Sequence, residues 1–163
     1  MDPVSNTPPQ GTIDISEILS EHNFSLAIPA GNGAAVLGAV AWAVVTVATE
    51  MELGLMAIAV GFVVGRAIRA VGHGAEPKFG YLGAACALMG CVAGDVLSDI
   101  AFYAKMRHIG FGQALGDLGM ALLTKLVSTF AQPMDLLFYA IAIYEGYKLS
   151  FKYRLVKQAP AAQ

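Results

Sequence analysis

Residues Ile28 to Val71 read IPAGNGAAVLGAVAWAVVTVATEMELGLMAIAVGFVVGRAIRAV, and this stretch decides the fold. Its charged residues are Glu50, Glu52, Arg66 and Arg69; the rest is almost wholly apolar. At 1.5 Å rise per residue a single helix of this length would extend roughly 65 Å. A bilayer offers about 30 Å of hydrocarbon, so the run must fold back on itself. Glu50 and Glu52, beside Gly54, mark the turn, because two carboxylates belong in water and not in lipid. The pattern predicts one helix over about 29–49 and a second over about 53–71.

The flanking sequence extends the same reading. His73 to Lys78, with Gly72, Gly74 and Pro77, is a short loop by its breaker residues. A third helix follows over about 79–104, closed by Lys105, Arg107, His108 and Gly110. Pro133 opens a fourth, over about 133–151, in a first-turn position that tolerates proline. Between them, about 111–130 shows Phe111, Leu115, Leu118, Leu122 and Leu126 at helical spacing, with Gln113, Asp117, Thr124 and Ser128 on another face. That is an interfacial amphipathic helix rather than a fifth span. The expected fold is therefore an all-α integral membrane four-helix bundle over 28–151. A polar tail over 1–27 precedes it, partly disordered, with Ile13, Ile15, Ile18 and Leu19 suited to a short surface helix. A basic tail over 152–163 follows.

Composition agrees. Of 163 residues 56% are hydrophobic and 13% charged, with a mean hydropathy of +0.61, too apolar for a water-facing surface. A net charge of -2 without clustered Lys and Arg excludes a nucleic-acid footprint. Cys86 and Cys91 lack zinc-site spacing and, five residues apart on a helix, point about 140° away from each other; they read as small packing residues. Met1 to Ser25 has neither Lys nor Arg nor an apolar core, so the first membrane helix is expected to act as its own uncleaved targeting signal.

Four crossings put the N-terminus, the 72–78 loop and the C-terminal tail on one side, with Arg66, Arg69, Lys78, Lys148, Lys152, Arg154 and Lys157. The other side carries Lys105, Arg107 and Lys125. The positive-inside rule makes the first side cytoplasmic. Aromatic residues at the ends of the spans agree: Phe79 and Tyr81, Phe102 and Tyr103, Tyr144 and Tyr147, Phe151 and Tyr153.

Three groups of residues are candidates for function. Arg66 and Glu145 fall at similar depth, roughly 18–20 Å from the outer ends of their helices. They are expected to form an intramembrane ion pair, serving as a gate, a relay or a structural pair; Arg66 can instead snorkel to the inner headgroups. At the outer end Asp95 and Asp99, with Ser98 beside them, reach the level of Glu50, Glu52 and Asp135. Such oxygens can bind a hard cation or form the mouth of a cation pathway. They can also be a wet rim, with Asp135 at a helix start and Asp99 paired with Lys105 or Arg107. Finally, Gly54, Gly61 and Gly65 on the second helix and Gly83, Gly90 and Gly94 on the third form small faces, with a weaker one from Ala34, Gly38 and Ala41. Small faces let membrane helices approach closely, so helices 2 and 3 are expected to pair as the tight centre, or to offer a face to a homo-oligomer.

No nucleophile, base and oxyanion set can be assembled around His22, His73 or His108, so no enzyme activity and no cofactor are expected. The run Gly61-Phe-Val-Val-Gly65-Arg66-Ala-Ile-Arg69-Ala-Val-Gly72, with Phe79-Gly80 and the stretch Pro133 to Lys148, resembles segments of an uncharacterised family of small multi-spanning bacterial membrane proteins. The resemblance covers about 34–151 and implies a bacterial inner (plasma) membrane location, with no activity to carry over. The expected function is a non-enzymatic membrane module that self-associates or binds a membrane protein partner, its basic edge meeting the anionic lipid bilayer. The alternative is a small cation channel or transporter using the acidic outer cluster.

Overall fold

A computed structural model of the chain describes residues 23–50, 54–74, 76–119 and 133–151. The expected tails at 1–22 and 152–163, Glu52, and residues 120–132 of the amphipathic segment lie outside the described residues. Those described are helical apart from a few residues at helix ends, with no strand among them. The elements are α1 (Phe24–Thr49), α2 (Leu55–Gly72), α3 (Pro77–Arg107), α4, described over 111–119, and α5 (Pro133–Leu149). Three of them, α1, α2 and α3, are long and apolar enough to cross a membrane.

Helix ends follow from local chemistry and from packing. Pro77 is not in a loop but occupies the first turn of α3, where its missing N–H has no intrahelical acceptor to lose; Glu76 before it is extended. α1 starts five residues before the expected Ile/Pro boundary, so that Pro29 lies inside it. Tertiary contacts hold that extra turn: the Asn23 N–H donates to the Gly72 carbonyl at 3.1 Å, and Phe24 meets Phe79 edge-on at 5.3 Å. Three helices close on non-glycine residues in the left-handed region, Glu50 (φ 57), His73 (φ 46) and His108 (φ 54). A side chain there costs about 1 kcal/mol relative to glycine. His108 is exposed, so His108→Gly is expected to raise the thermal midpoint in detergent; an unchanged or lower midpoint would show that the imidazole contributes more than the backbone strain it imposes.

α5 lies against both α2 and α3, and α1 against the same two helices. The core they share is built from small side chains, Ala27, Ala34, Ala35, Ala57, Cys86, Cys91 and Ala142, with Trp42, Ile68, Phe79 and Tyr139 as its bulk. The glycine faces of α2 and α3 do not close on each other as expected. On α2, Gly61 meets the Ala142 backbone of α5, and a Cβ on Gly65 would lie 2.7 Å from Leu149 Cβ. On α3, Gly83 meets the Gly146 carbonyl and the Ser150 hydroxyl; Gly90 faces Val60 and Ala35, and a Cβ on Gly94 would lie 2.7 Å from Trp42 Cε3. Gly54 receives the Phe138 ring. Gly146 completes the seam, since a Cβ there would come within 2.7 Å of the Gly83 carbonyl oxygen. α5 thus seats on bare backbone on two sides, which dispersion rewards when helices touch at this range.

In α4, Ala114 is buried beside Ile100 and Ala104, while Phe111 and Leu115 are about half exposed. The described part therefore meets α3 through a small residue, with Phe111, Leu115, Gln113 and Asp117 exposed and Leu118 half-buried.

Candidate functional site

Polar groups inside the helix assembly gather along one stripe of α3. Cys91, Asp95, Ser98 and Asp99 fall on successive turns, a spacing that keeps them within one sector of the helix. Asp95 lies twelve residues before Arg107, hence about 18 Å from the end of a helix that runs about 46 Å in all. Its carboxylate is half-buried and accepts a hydrogen bond from the Tyr139 hydroxyl of α5 through Oδ2. Tyr139 itself is 4% exposed. Asp135 is half-buried one turn before Tyr139, in the first turn of α5, where a carboxylate is favoured by the helix dipole. Asp99 is half-buried and engaged. The Cys91 thiol donates to the Ala57 carbonyl across to α2 at 3.8 Å.

Two buried hydroxyls complete the site. Ser98 Oγ and Thr46 Oγ1 are buried and have no hydrogen-bond partner among the described residues. Thr46 stands one turn beyond Trp42, which seats on Gly94, and Ser98 stands one turn beyond Gly94, so the two fall at the same level of the α1–α3 seam. Buried hydroxyls left unpaired cost about 1–3 kcal/mol, and they mark a place where a water or a transferred proton finds donors and acceptors. A carboxylate, a phenol and a hydroxyl within neighbouring turns are groups that can pass a proton among themselves.

The acids expected to converge at the outer rim separate into two places. Glu50 takes Lys105: Nζ lies 2.8 Å from Glu50 Oε1 and 2.9 Å from the Val47 carbonyl. α1 has no basic residue in its own last turn, so Lys105 of α3 supplies the cation that its carbonyl end favours. Arg107 stands over the Tyr103 ring at 5.5 Å. Among the described residues no three of His, Cys, Asp and Glu are close enough to hold a metal ion. Lys105 holds the Glu50 carboxyl below the usual range, first by its hydrogen bond and then by its charge. A lowered carboxyl contributes stability that is complete above the unfolded-chain value and is lost as pH falls through the lowered one. The stability difference between the parent and Glu50→Gln, followed by Trp42 fluorescence, is expected to shrink on acidification below pH 4.5; a difference constant with pH would remove the carboxylate's charge from the account.

The expected Arg66–Glu145 ion pair is absent from the described residues. Arg66 is exposed, with its guanidinium 5.4 Å over the Phe62 ring, while Glu145 is half-buried on α5. The reason is azimuth: Gly65 faces the Glu145 carbonyl, and the next residue along a helix turns about 100° away. Thr46 and Tyr139 are the site residues that sequence context does not single out, and only Tyr139 offered a signal. The available signal was a phenol one turn after Asp135 within an apolar helix. Compared with protein-family models, with curated proteins and with solved structures, the chain finds no match.

Proposed function

We propose that the protein is a four-crossing membrane protein that passes a small cation, with the proton as the cation its donors fit best, through the Asp95–Tyr139 site. The observation that carries the reading is a carboxylate held by a buried tyrosine within a candidate membrane-spanning helix. Ionisable groups at such depth are costly, and where they are retained they commonly mark a proton or ion path. The buried hydroxyls of Ser98 and Thr46 support it, because they extend the polar stripe beyond Asp95 towards α1.

Membrane placement with both termini cytoplasmic, in a bacterial inner membrane of the kind the resembling family implies, is part of the same proposal. Its support is the pattern at one end of the helices, where Lys78 lies over Phe24 and Phe79, Lys148 lies over Tyr144, and Tyr81, Tyr147 and Phe151 stack edge-on in series. The reading as a self-associating module has less behind it. Gly61, Gly65, Gly83, Gly90 and Gly94 are occupied within the chain, which leaves those small faces unavailable to a second copy.

Protein reconstituted into vesicles under a pH gradient is the test. The parent is expected to dissipate the gradient faster than empty vesicles and Asp95→Asn is not. A parent no faster than empty vesicles would end the proposal.

A further inference from the structure

The seam between α1 and α3 keeps one register along most of its length. A Cβ on Gly31 would lie 3.1 Å from Cys86 Sγ, one on Gly90 would lie 3.3 Å from Ala35 Cα, and Gly94 receives the Trp42 ring. Cys86, Gly90 and Gly94 stand one turn apart on α3, and Gly31, Ala35 and Trp42 answer in the same order on α1, so these two helices run side by side in the same direction. The next turn of both stripes brings Ser98 on α3 and Thr46 on α1. They are 5% and 3% exposed, and neither hydroxyl bonds the other or any further partner among the described residues. We propose that Thr46 and Ser98 hold a water molecule between α1 and α3 that bridges the two hydroxyls; the proposal rests on the packing of these helices and not on cation passage.

The chemistry of the pair selects that ligand. A serine or threonine inside a helix commonly gives its proton to the carbonyl one turn back, as Thr49 does to Val45 O at 2.8 Å and Ser150 to Gly146 O at 2.6 Å. Thr46 and Ser98 do not. Each has one proton to give and two lone pairs to fill, so two such groups that face one another without meeting call for a small molecule carrying both donors and acceptors. Water is that molecule, and it is held inside proteins where two to four polar atoms are in reach. The Trp42 and Gly94 carbonyls, which the two side chains leave untaken, each keep a second lone pair one turn away. A bare cation would find only neutral oxygens in this pair. Small residues flank it: Ala43 and Ala101 line a groove of about 580 Å³ that opens along the same seam, so the helices stand apart at this level.

A double-substitution cycle on the full chain in mild detergent tests the bridge. Ser98→Ala or Thr46→Val alone strands the opposite hydroxyl, and each is expected to lower the thermal midpoint by about 2–4 °C, one hydrogen bond's worth in a chain of this size. The two together remove both polar groups and the water with them, so the double variant should return close to the parent. Single variants that raise the midpoint would mean that the hydroxyls are dry. Effects that simply add would mean that each hydroxyl is satisfied on its own helix. Either result overturns the proposal. A direct readout is magnetisation transfer from water to the Thr46 methyl group in threonine-labelled protein. The parent should show the cross-peak and Ser98→Ala should lose it, although Thr46 is unchanged. A parent without the cross-peak, or a cross-peak that persists in Ser98→Ala, would equally end the proposal.

Discussion

Gly83→Val is expected to unseat α5 and to lower stability by about 3 kcal/mol, the upper part of the range for overpacking a close-fitted interior. The obstacle is main chain. A Cβ at position 83 would run into the Gly146 carbonyl and the Ser150 hydroxyl, the latter already donating to that carbonyl at 2.6 Å. A flexible side chain could swing aside, but a helix backbone moves only as a whole. The same argument applies to Gly61→Val, which would meet the Ala142 backbone. Gly33→Val is the control, because nothing lies within 4 Å of a Cβ there. Thermal midpoints in mild detergent decide the matter: Gly83→Val and Gly61→Val should fall well below the parent while Gly33→Val stays near it. If all three behave alike, the close seating of α5 is wrong.

Asp95→Asn is expected to abolish gradient dissipation while leaving the fold intact. An asparagine carbonyl still accepts the Tyr139 hydroxyl, so the hydrogen bond survives in neutral form and only the titratable oxygen is lost. Tyr139→Phe does the converse. It removes the tyrosine hydroxyl from a half-buried carboxylate, and losing a hydrogen bond to a charged group costs about 1.5–3 kcal/mol. The pair of variants separates the two roles that Asp95 can have. A purely structural carboxylate predicts that Tyr139→Phe loses stability and that Asp95→Asn protein conducts as the parent does. A conducting carboxylate predicts that Asp95→Asn is stable and inactive. Stable and fully active Asp95→Asn protein would remove Asp95 from the path.

Solvation made the helix breaks legible in the sequence. Glu50 ends α1 and the Gly/His/Pro segment separates α2 from α3, because carboxylates and breakers have nowhere else to go in a chain this apolar. Height along the helices was legible for the same reason. Rotation about them was not. Depth alone put Arg66 opposite Glu145, although the Gly61 and Gly65 stripe already indicated which sector of α2 faces a neighbour, and Arg66 lies outside it. Neighbour identity was hidden too, since a glycine face accepts any close helix; nothing local said that α5, and not α3, would fill the face of α2. The Lys105–Glu50 contact depends on α1 and α3 lying side by side in the same direction, which only the assembled helices establish. Asp95 was legible as an ionisable residue in an apolar helix, but its tyrosine partner was set by that assembly.

The seat of α5 has a consequence for how such a chain can change over time. In an ordinary interior, leucine, isoleucine and valine trade places at modest cost because the loss of one shape is met by a shift in the next. Where main chain rests on main chain, no such exchange exists. Variation should therefore gather on the outward sectors, around Val36, Leu37 and Val44, and stop abruptly at Gly61, Gly83 and Gly146.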